Sequence, residues 1–258
     1  MRFSPVAPIH ILEGLALKGR EYIGDYFLLL AHDVLENAAR YEKFFEGRKN
    51  DFIIMDNSVI ELGTSCTAAV LLEAAKIVGA NVVVVPDVLQ DGQQTIEATY
   101  AFMEGWNVVK YSPRPELMMV PQGNDIGDYM RCVEQIVPEY AHLVKWIGIA
   151  RNLTDRVFPT RRMAVAYLHT YMQMFRDKPK LHMLGFSENV EDDIDTCNKM
   201  RRLIQGIDSA VPLRATYPIG KEPVSINVGP RGNWWHEAVL TEVMADNVYW
   251  TRKWIGEL

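Results

Sequence analysis

Three aspartates stand at the ends of short apolar runs, or inside one, where a carboxylate can take part in chemistry. Asp56 ends FIIMD, Asp87 ends NVVVVPD, and Asp208 lies within GIDSAVP, four residues before Pro212. A carboxylate in such an apolar segment is costly to bury unless it is paired. If these segments converge, one carboxylate can attack an anomeric carbon while another moves protons, which is glycosidic-bond chemistry. The alternative for Asp87 is a cap on the helix that follows.

Other chemically capable residues occupy comparable positions on the neighbouring runs. They are Gln122 after LMMVP, Arg151 at the end of Gly148-Ile149-Ala150-Arg151, His182 in KLHMLG, and Arg214 after GIDSAVP. Each has a structural alternative: Gln122 precedes a glycine and suits a turn. A histidine on an apolar strand is more often a hydrogen-bonded core residue than a catalyst, so His182 keeps both interpretations.

The elements that would position these residues are eight apolar runs, spaced mostly 25–35 residues apart. The runs are continuous rather than alternating, which is typical of strands buried on both faces, and the spacing fits one strand plus one helix. We therefore predict an α/β fold in which residues 1–258 form one (β/α)8 TIM barrel domain, with a doubly wound open sheet as the alternative. The predicted strands are PIHIL (8–12), YFLLLA (26–31), FIIMD (52–56), NVVVVPD (81–87), LMMVPQ (117–122), WIGIA (146–150), KLHMLG (180–185) and GIDSAVP (206–212).

The segments between these runs have helical patterns. HDVLENAARYEKFFEG has apolar residues at helical spacing, TAAVLLEAAKIVGA follows a Thr/Ser cluster, and NVEDDIDTCNKMRRLIQG starts acidic and ends basic. The Trp-rich tail WWHEAVLTEVMADNVYWTRKWIGEL predicts a closing helix that covers the barrel. A homodimer contact is the alternative for this tail.

Composition excludes several classes of protein. The 258 residues are 48% hydrophobic and 23% charged, as in ordinary soluble domains, and no apolar run is long enough to cross a bilayer. Neither a secretory signal nor a disulfide framework is evident, and the three cysteines lie far apart, so we expect a cytoplasmic protein without membrane contact. The net charge of −6 argues against a protein that coats nucleic acid, although residues 130–258 carry 17 basic and 15 acidic residues.

No cofactor motif accompanies the aspartates. The chain has no GxxxxGK[ST] phosphate loop, no GxGxxG fingerprint and no GxSxG elbow, and no histidine has metal-ligand spacing to another His or Cys. We therefore predict no organic cofactor and no metal.

In the order of its motifs, the sequence resembles the tRNA-guanine transglycosylase superfamily over about residues 50–215. Within it, the closer resemblance is to the phage and bacterial 7-deazaguanine DNA transglycosylases, because the C-terminal Cys/His zinc site of the tRNA enzymes is not found here. Asp56-Asn57-Ser58 resembles the start of the family's Asp-Ser-Gly-Gly-Phe-Gln, and Asp87 stands where the family has its base-recognition Asp. Val120-Pro121-Gln122-Gly123 resembles Val-Gln-Gly, and Ile147-Gly148-Ile149-Ala150 resembles Ile-Gly-Gly-Leu. His182-Met183-Leu184-Gly185 resembles His-x-Leu-Met-Gly, and the segment from Asp208 to Pro212-Leu213-Arg214 resembles the nucleophile motif.

The resemblance implies exchange of guanine in DNA for a free 7-deazaguanine base, and (in a phage-encoded protein) a site of action in the host cytoplasm. Asp208 would attack C1′ and form a covalent glycosyl-aspartate, Asp56 would transfer protons, and Asp87 would accept hydrogen bonds from the guanine edge. Net retention would follow from two inversions. The further substrate-binding residues it implies are Gln122, the backbone of Gly148 or Ile149, Met183 or Leu184, and Arg214, with Phe102 or Tyr100 against the base.

A base stacked in DNA must be flipped out, so phosphate contacts are also expected. The predicted nucleic-acid-binding residues are Arg161, Arg162, Lys178, Lys180, Arg201, Arg202, Lys221 and Arg231. For each, the alternative is an ordinary solvated helix face. Three other functions stay open: base exchange on tRNA, a non-catalytic partner subunit of such an enzyme, and an unrelated barrel hydrolase that releases free base.

Overall fold

A computed structural model describes residues 1–108, 114–215, 218–219 and 234–258. Its eight strands form one parallel sheet in the order β1-β8-β7-β6-β5-β4-β3-β2, which curls into a nearly closed (β/α)8 barrel. The predicted fold class is therefore confirmed. The strands are β1 Arg2–Pro5, β2 Tyr26–Leu30, β3 Phe52–Asp56, β4 Val82–Val84, β5 Glu116–Met119, β6 Val144–Ala150, β7 Lys180–Leu184 and β8 Ile204–Ser209.

Seven of the predicted strands overlap β2–β8, but the predicted first strand is wrong. Residues 8–12 begin helix α1, with Pro8 at its N-cap and Ile9, Leu12 and Leu15 buried at helical spacing. The true first strand is β1, whose Arg2, Ser4 and Pro5 interrupt the apolar pattern that marks the other strands.

Helices alternate with the strands and cover the outside of the barrel. Those of the described residues are α1 Ile9–Lys18, α2 Arg20–Ile23, α3 Ala31–Glu36, α4 Ala38–Glu46, α5 Val59–Leu62, α6 Ala68–Val78, α7 Gly92–Val108, α8 Ile126–Glu139, α9 Leu153–Arg156, α10 Arg161–Met172, α11 Val190–Lys199, α12 Val211–Arg214, α13 Trp234–Glu237 and α14 Glu242–Trp254. None of the helices in these ranges is long and apolar enough to span a membrane.

The predicted helices form with shorter bounds. Asn37 divides the first into α3 and α4, and the segment that starts at Val190 stops at Lys199 because Ile204 already belongs to β8. Thr67 caps α6 through its side chain and Gly79, at φ +66°, ends it. The tail forms α13 and α14, and α14 packs against β1, α2 and α12, so it covers the barrel as predicted.

The barrel closes at a seam that is built from side chains. β1 and β2 stand at the two ends of the strand order, so no backbone ladder joins them. The Leu28 amide instead donates to the hydroxyl of Ser4 at 2.7 Å, and the Phe3 amide donates to the carboxylate of Glu257 at 3.0 Å. These contacts satisfy amides on an edge that would otherwise stay unpaired.

Alternate residues on each strand point into the barrel, and here these are the even-numbered ones. The lowest layer is a plug at the N-terminal end of the strands. In it the Arg2 guanidinium lies 4.4 Å from the ring of Tyr26 and 4.9 Å from that of Phe52, while the Lys180 ammonium lies 4.8 Å from the ring of Trp146. Cation–π contacts thus seal one end of the barrel and leave the other for a site.

Candidate active site

The C-terminal ends of the strands surround a cavity of about 760 Å3. Because the strands are parallel, their carboxyl ends meet at one rim, where (β/α)8 enzymes place their catalytic groups. The predicted residues that line this cavity are Asp56, Asp87, Gln122, Leu184, Asp208 and Arg214. Both predicted catalytic aspartates therefore open into the same space.

Two hydrogen-bonding groups hold the carboxylate of Asp208 in place. Its Oδ1 lies 2.9 Å from His182 Nε2, and its Oδ2 accepts a longer hydrogen bond of 3.3 Å from the Gly185 amide. Gly185 adopts a φ of +65°, which a glycine takes without strain. Asp208 is only 6% exposed, so the carboxylate is fixed rather than free to rotate.

His182 is a fully buried member of this arrangement. Its second ring nitrogen, Nδ1, lies 2.8 Å from the hydroxyl of Tyr26 on β2. A polar chain therefore runs from Tyr26 through His182 to Asp208 inside the barrel. The interpretation of His182 as a hydrogen-bonded core histidine is confirmed, and its partner is the predicted nucleophile.

Asp56 ends β3 and has a raised pKa. Burial raises it well above the usual value, and the charge of Glu61 raises it further, while a 2.8 Å hydrogen bond from the Ser58 amide acts in the opposite direction. The charges of Asp208 and Asp87 also raise this pKa, so both carboxylates lie within electrostatic reach of Asp56. Asp56 thus tends to keep its proton, as a general acid must.

Asp87 is the centre of an amide network that the predictions did not include. Its two oxygens accept hydrogen bonds from Asn57 Nδ2 at 2.7 Å and from Gln122 Nε2 at 2.6 Å. Burial raises the pKa of Asp87 to about 6, against the lowering effect of these two amides. The Oε1 of Gln122 in turn accepts from Asn152 Nδ2 at 3.3 Å. The network joins the C-terminal ends of the four neighbouring strands β3, β4, β5 and β6. The side chain of Asp87 is therefore engaged in this network and does not cap the helix that follows.

Two of the described non-glycine residues have a positive φ, and both lie beside this network: Ser58 at 62° and Gln90 at 60°. The Ser58 amide is bound by Asp56, and the Gln90 amide donates to Gln122 Oε1 at 3.3 Å. Such conformations cost free energy and cluster at functional sites. The position of these two residues supports the assignment of this rim as a functional site.

The wall of the cavity is acidic. Among the described residues that line it are five carboxylates and two arginines; they are Glu36, Asp56, Glu61, Asp87 and Asp208, with Arg151 and Arg214. Three ring side chains also line the cavity: His32 from α3, and Trp235 and His236 from α13. The inner cavity therefore suits a neutral or hydrogen-bond-donating group better than a phosphate.

Three predicted pocket residues do not line the cavity. Gly148 lies one layer lower, where an added Cβ would meet Leu184 at 2.7 Å. Ile149 and Met183 have odd numbers and point outward into the helix layer, where the sulfur of Met183 lies 3.8 Å from that of Cys197. Of the two alternatives for apolar contact with the base, Leu184 lines the cavity and Met183 does not, so the suggestion of Met183 is wrong. The contact expected from the backbone amide of Gly148 or Ile149 stays a prediction.

The two aromatic residues suggested for the base face lie in the helix layer. Phe102 is buried and stacks on Trp106, with ring centroids 5.5 Å apart. Tyr100 donates a hydrogen bond of 2.9 Å to Glu139 on the protein surface. Neither lines the cavity, so the suggestion for both is wrong.

Arg161 is fully buried and cannot meet a phosphate. Its guanidinium donates to the carbonyl oxygens of Ile149, Leu184 and Gly185 and pairs with Asp193 at 3.3 Å. It thereby ties the end of β6 to the end of β7 beside Asp208. The predicted DNA contact of Arg161 is wrong, and its place in the fold is structural.

Most of the other predicted phosphate contacts lie at the wrong end of the barrel. Lys178 and Lys180 precede or begin β7, and Arg201 and Arg202 precede β8, so all four lie at the N-terminal end of the strands, opposite the cavity. Arg162, at the start of α10, is on the cavity side and pairs with Asp195 at 3.3 Å. Lys221 and Arg231 lie outside the described residues.

The sequence analysis gave no role to Asn57, and it missed Asn152, Tyr26 and the α13 pair Trp235 and His236. Asn57 carried a signal, since it follows Asp56 directly at a strand end. Tyr26 had none, because an aromatic residue at the start of an apolar strand is typical of any core.

No protein-family model matches the chain, and no curated protein shows significant similarity to it. The family resemblance therefore depends on the quoted motifs and on the site that their residues form. In the described part of the chain, no group of three or more His, Cys, Asp or Glu side chains is arranged to hold a metal ion.

Proposed function

We propose that this chain is a base-exchange transglycosylase that replaces guanine in DNA with a 7-deazaguanine base through a covalent glycosyl-aspartate. The observation that carries the proposal is the position of Asp208: a buried, oriented carboxylate at the rim of a barrel cavity that also contains Asp56 and Asp87. Paired carboxylates on a sugar C1′ are the machinery of double-displacement chemistry.

In the first half-reaction, Asp208 Oδ2 attacks C1′ and the bond to guanine N9 breaks. Asp56, which keeps its proton because burial raises its pKa, gives that proton to the departing guanine. In the second half-reaction, the incoming 7-deazaguanine loses its N9 proton to the Asp56 carboxylate and attacks C1′. Asp208 is released, both aspartates return to their first state, and the sugar keeps its configuration.

Asp87 supports selection of a guanine-like base. With a pKa of about 6 it is mostly ionised at neutral pH, so its oxygens can accept hydrogen bonds from the ring N1–H and the exocyclic amine. Asn57 and Gln122 hold the carboxylate in place, and each oxygen retains a further lone pair for the base. Leu184, and the exposed Leu89 and Ile60 at the rim, offer apolar contact to a flat ring.

The test uses purified protein, a guanine-containing oligonucleotide and radiolabelled 7-deazaguanine. The wild type should incorporate label and form a denaturation-resistant adduct with DNA, and Asp208→Ala should lose both. Asp177→Ala, which removes an exposed carboxylate at the end of the barrel opposite the cavity, serves as the matched control and should retain both. Normal exchange by Asp208→Ala would refute the nucleophile, and an inactive wild type with every base and acceptor, tRNA included, would refute base exchange.

A second candidate, a glycosidase of small free nucleosides, is favoured by the charges around the cavity. The inner wall is acidic, and four of the predicted phosphate contacts lie at the opposite end of the barrel. Such an enzyme would release guanine from guanosine or deoxyguanosine into water without an incoming base. Measuring free base release from nucleosides and from oligonucleotides, with and without 7-deazaguanine, separates the two candidates.

A further inference from the structure

A buried histidine stands directly behind the predicted nucleophile. His182 on β7 lies within hydrogen-bond distance of Tyr26 on β2 and of Asp208 on β8, at 2.8 Å and 2.9 Å. None of the three residues is more than 6% exposed. The chain of contacts therefore crosses the barrel interior beneath the cavity and ends at the one carboxylate that the proposed reaction requires to be correctly aimed.

Hydrogen-bond accounting determines which ring nitrogen carries the proton. An ionised Asp208 can only accept, so the Nε2 of His182 is the donor. In a neutral imidazole Nδ1 is then an acceptor, and the Tyr26 hydroxyl supplies the proton for it. Burial raises the pKa of Tyr26 far above its usual value, so this phenol keeps its proton. Tyr26 thus favours one tautomer of His182, with the proton on Nε2.

The surroundings hold Tyr26 in this position. An added Cβ at Gly206 would lie 2.5 Å from the Tyr26 ring, so the glycine leaves room that the ring fills. The Arg2 guanidinium lies 4.4 Å from the centre of the same ring. The charged groups around these three hydrogen-bonded residues are Arg2 on β1 and Asp208 itself on β8. Glu257, near the C-terminus, interacts electrostatically with Tyr26, and Asp56 on β3 interacts electrostatically with Asp208.

We propose that His182 is a positioning residue for Asp208: held by Tyr26 as a neutral Nε2–H donor, it fixes Oδ1 and thereby directs Oδ2 toward the sugar. Oδ2 is the less restrained oxygen, since it receives the longer bond of 3.3 Å from Gly185. The inference rests on the proposed function for its catalytic consequence, but the tautomer and the hydrogen bonds are properties of the folded protein alone.

A pair of substitutions separates positioning by a neutral donor from proton transfer by the histidine. His182→Gln places an amide N–H near Asp208 and an amide oxygen near Tyr26 without a titrating proton, whereas His182→Leu removes both hydrogen bonds. In single-turnover adduct formation, we expect His182→Leu to slow the reaction about 100-fold through misorientation of Asp208. His182→Gln should recover at least tenfold of that loss, and the dissociation constant for DNA should not change. If glutamine is as slow as leucine, neutral positioning is refuted.

Histidine-selective 15N NMR provides a readout that does not need enzymatic activity. The His182 signal is assigned by its disappearance in His182→Gln. In the wild type we expect the proton on Nε2 and none on Nδ1, and in Tyr26→Phe a population with the proton on Nδ1 or on both nitrogens. A wild-type ring that is doubly protonated, or protonated only on Nδ1, would overturn the proposal. If the wild type exchanges no bases, the proposed function falls, while this measurement still decides the state of His182.

Discussion

Replacing Asp87 by asparagine should change how the stability of this protein depends on pH. Burial raises the pKa of Asp87 from 3.8 to about 6, so the native state holds a proton that the unfolded chain has already lost between about pH 4 and pH 6. The free energy of unfolding therefore contains a contribution that is present at low pH and is lost as the pH rises through this window. At about 1.4 kcal/mol per pKa unit, the loss amounts to about 3 kcal/mol.

Asp87→Asn removes this titration. The new amide faces the amides of Asn57 and Gln122, which lowers stability by an amount that does not depend on pH. The informative quantity is therefore the difference in unfolding free energy between variant and wild type, followed by urea denaturation from pH 4 to pH 7. We expect that difference to shift by about 3 kcal/mol in favour of the variant as the pH rises, equivalent to roughly 5 °C in Tm for a chain of this size.

Asp128→Asn is the control, because it should act in the opposite direction. Burial alone would raise the pKa of Asp128, but hydrogen bonds from the amides of Gly92 and Asn124 and from Arg131 outweigh it and lower the pKa. Asp128 therefore stabilises the native state above the unfolded pKa, and this stabilisation is lost on acidification. If Asp87→Asn and wild type follow parallel pH curves, the raised pKa of Asp87 is refuted.

Three further predictions follow from packing and position. Arg161→Met should lower the free energy of unfolding by roughly 3–5 kcal/mol in urea melts, because it removes the cation paired with the buried Asp193 carboxylate and the donor to three main-chain carbonyls, leaving Asp193 only the Ser187 amide; a loss below 1 kcal/mol would contradict this. Gly206→Ala should lower it by about 1–3 kcal/mol, since the new methyl group overlaps the Tyr26 ring, while Gly47→Ala, with open space around it, should not lower it. Lys180→Ala should leave the dissociation constant for DNA, measured by fluorescence anisotropy, within twofold of wild type, because Lys180 lies at the far end of the barrel.

Much of the architecture was accessible from local pattern. Strands buried on both faces need continuous apolar runs, so β2 to β8 could be recognised. The exception, β1, shows the limit: it turns Arg2 and Ser4 into the barrel, where one covers aromatic rings and the other closes the seam. Nothing in the local sequence distinguishes these roles from those of surface residues.

The candidate site was partly accessible in the same way. Asp56, Asp87 and Asp208 follow strands or end them, and in a parallel barrel such positions meet at one rim. By the same rule, Lys180 begins its strand and Arg201 precedes one, so both belong to the other rim, and the fold prediction itself argues against their contact with a substrate at this cavity.

The sequence by itself determined the order of the elements and the rim at which the carboxylates gather, because both follow from periodicity and from strand direction. Only the tertiary structure decided that Leu184 faces the cavity while Met183 faces the helices, since a shift of one residue along a strand reverses every side chain. It alone also paired His182 with Tyr26 and Asp208, because these partners lie 26 or more residues apart and burial, rather than any local pattern, selects them.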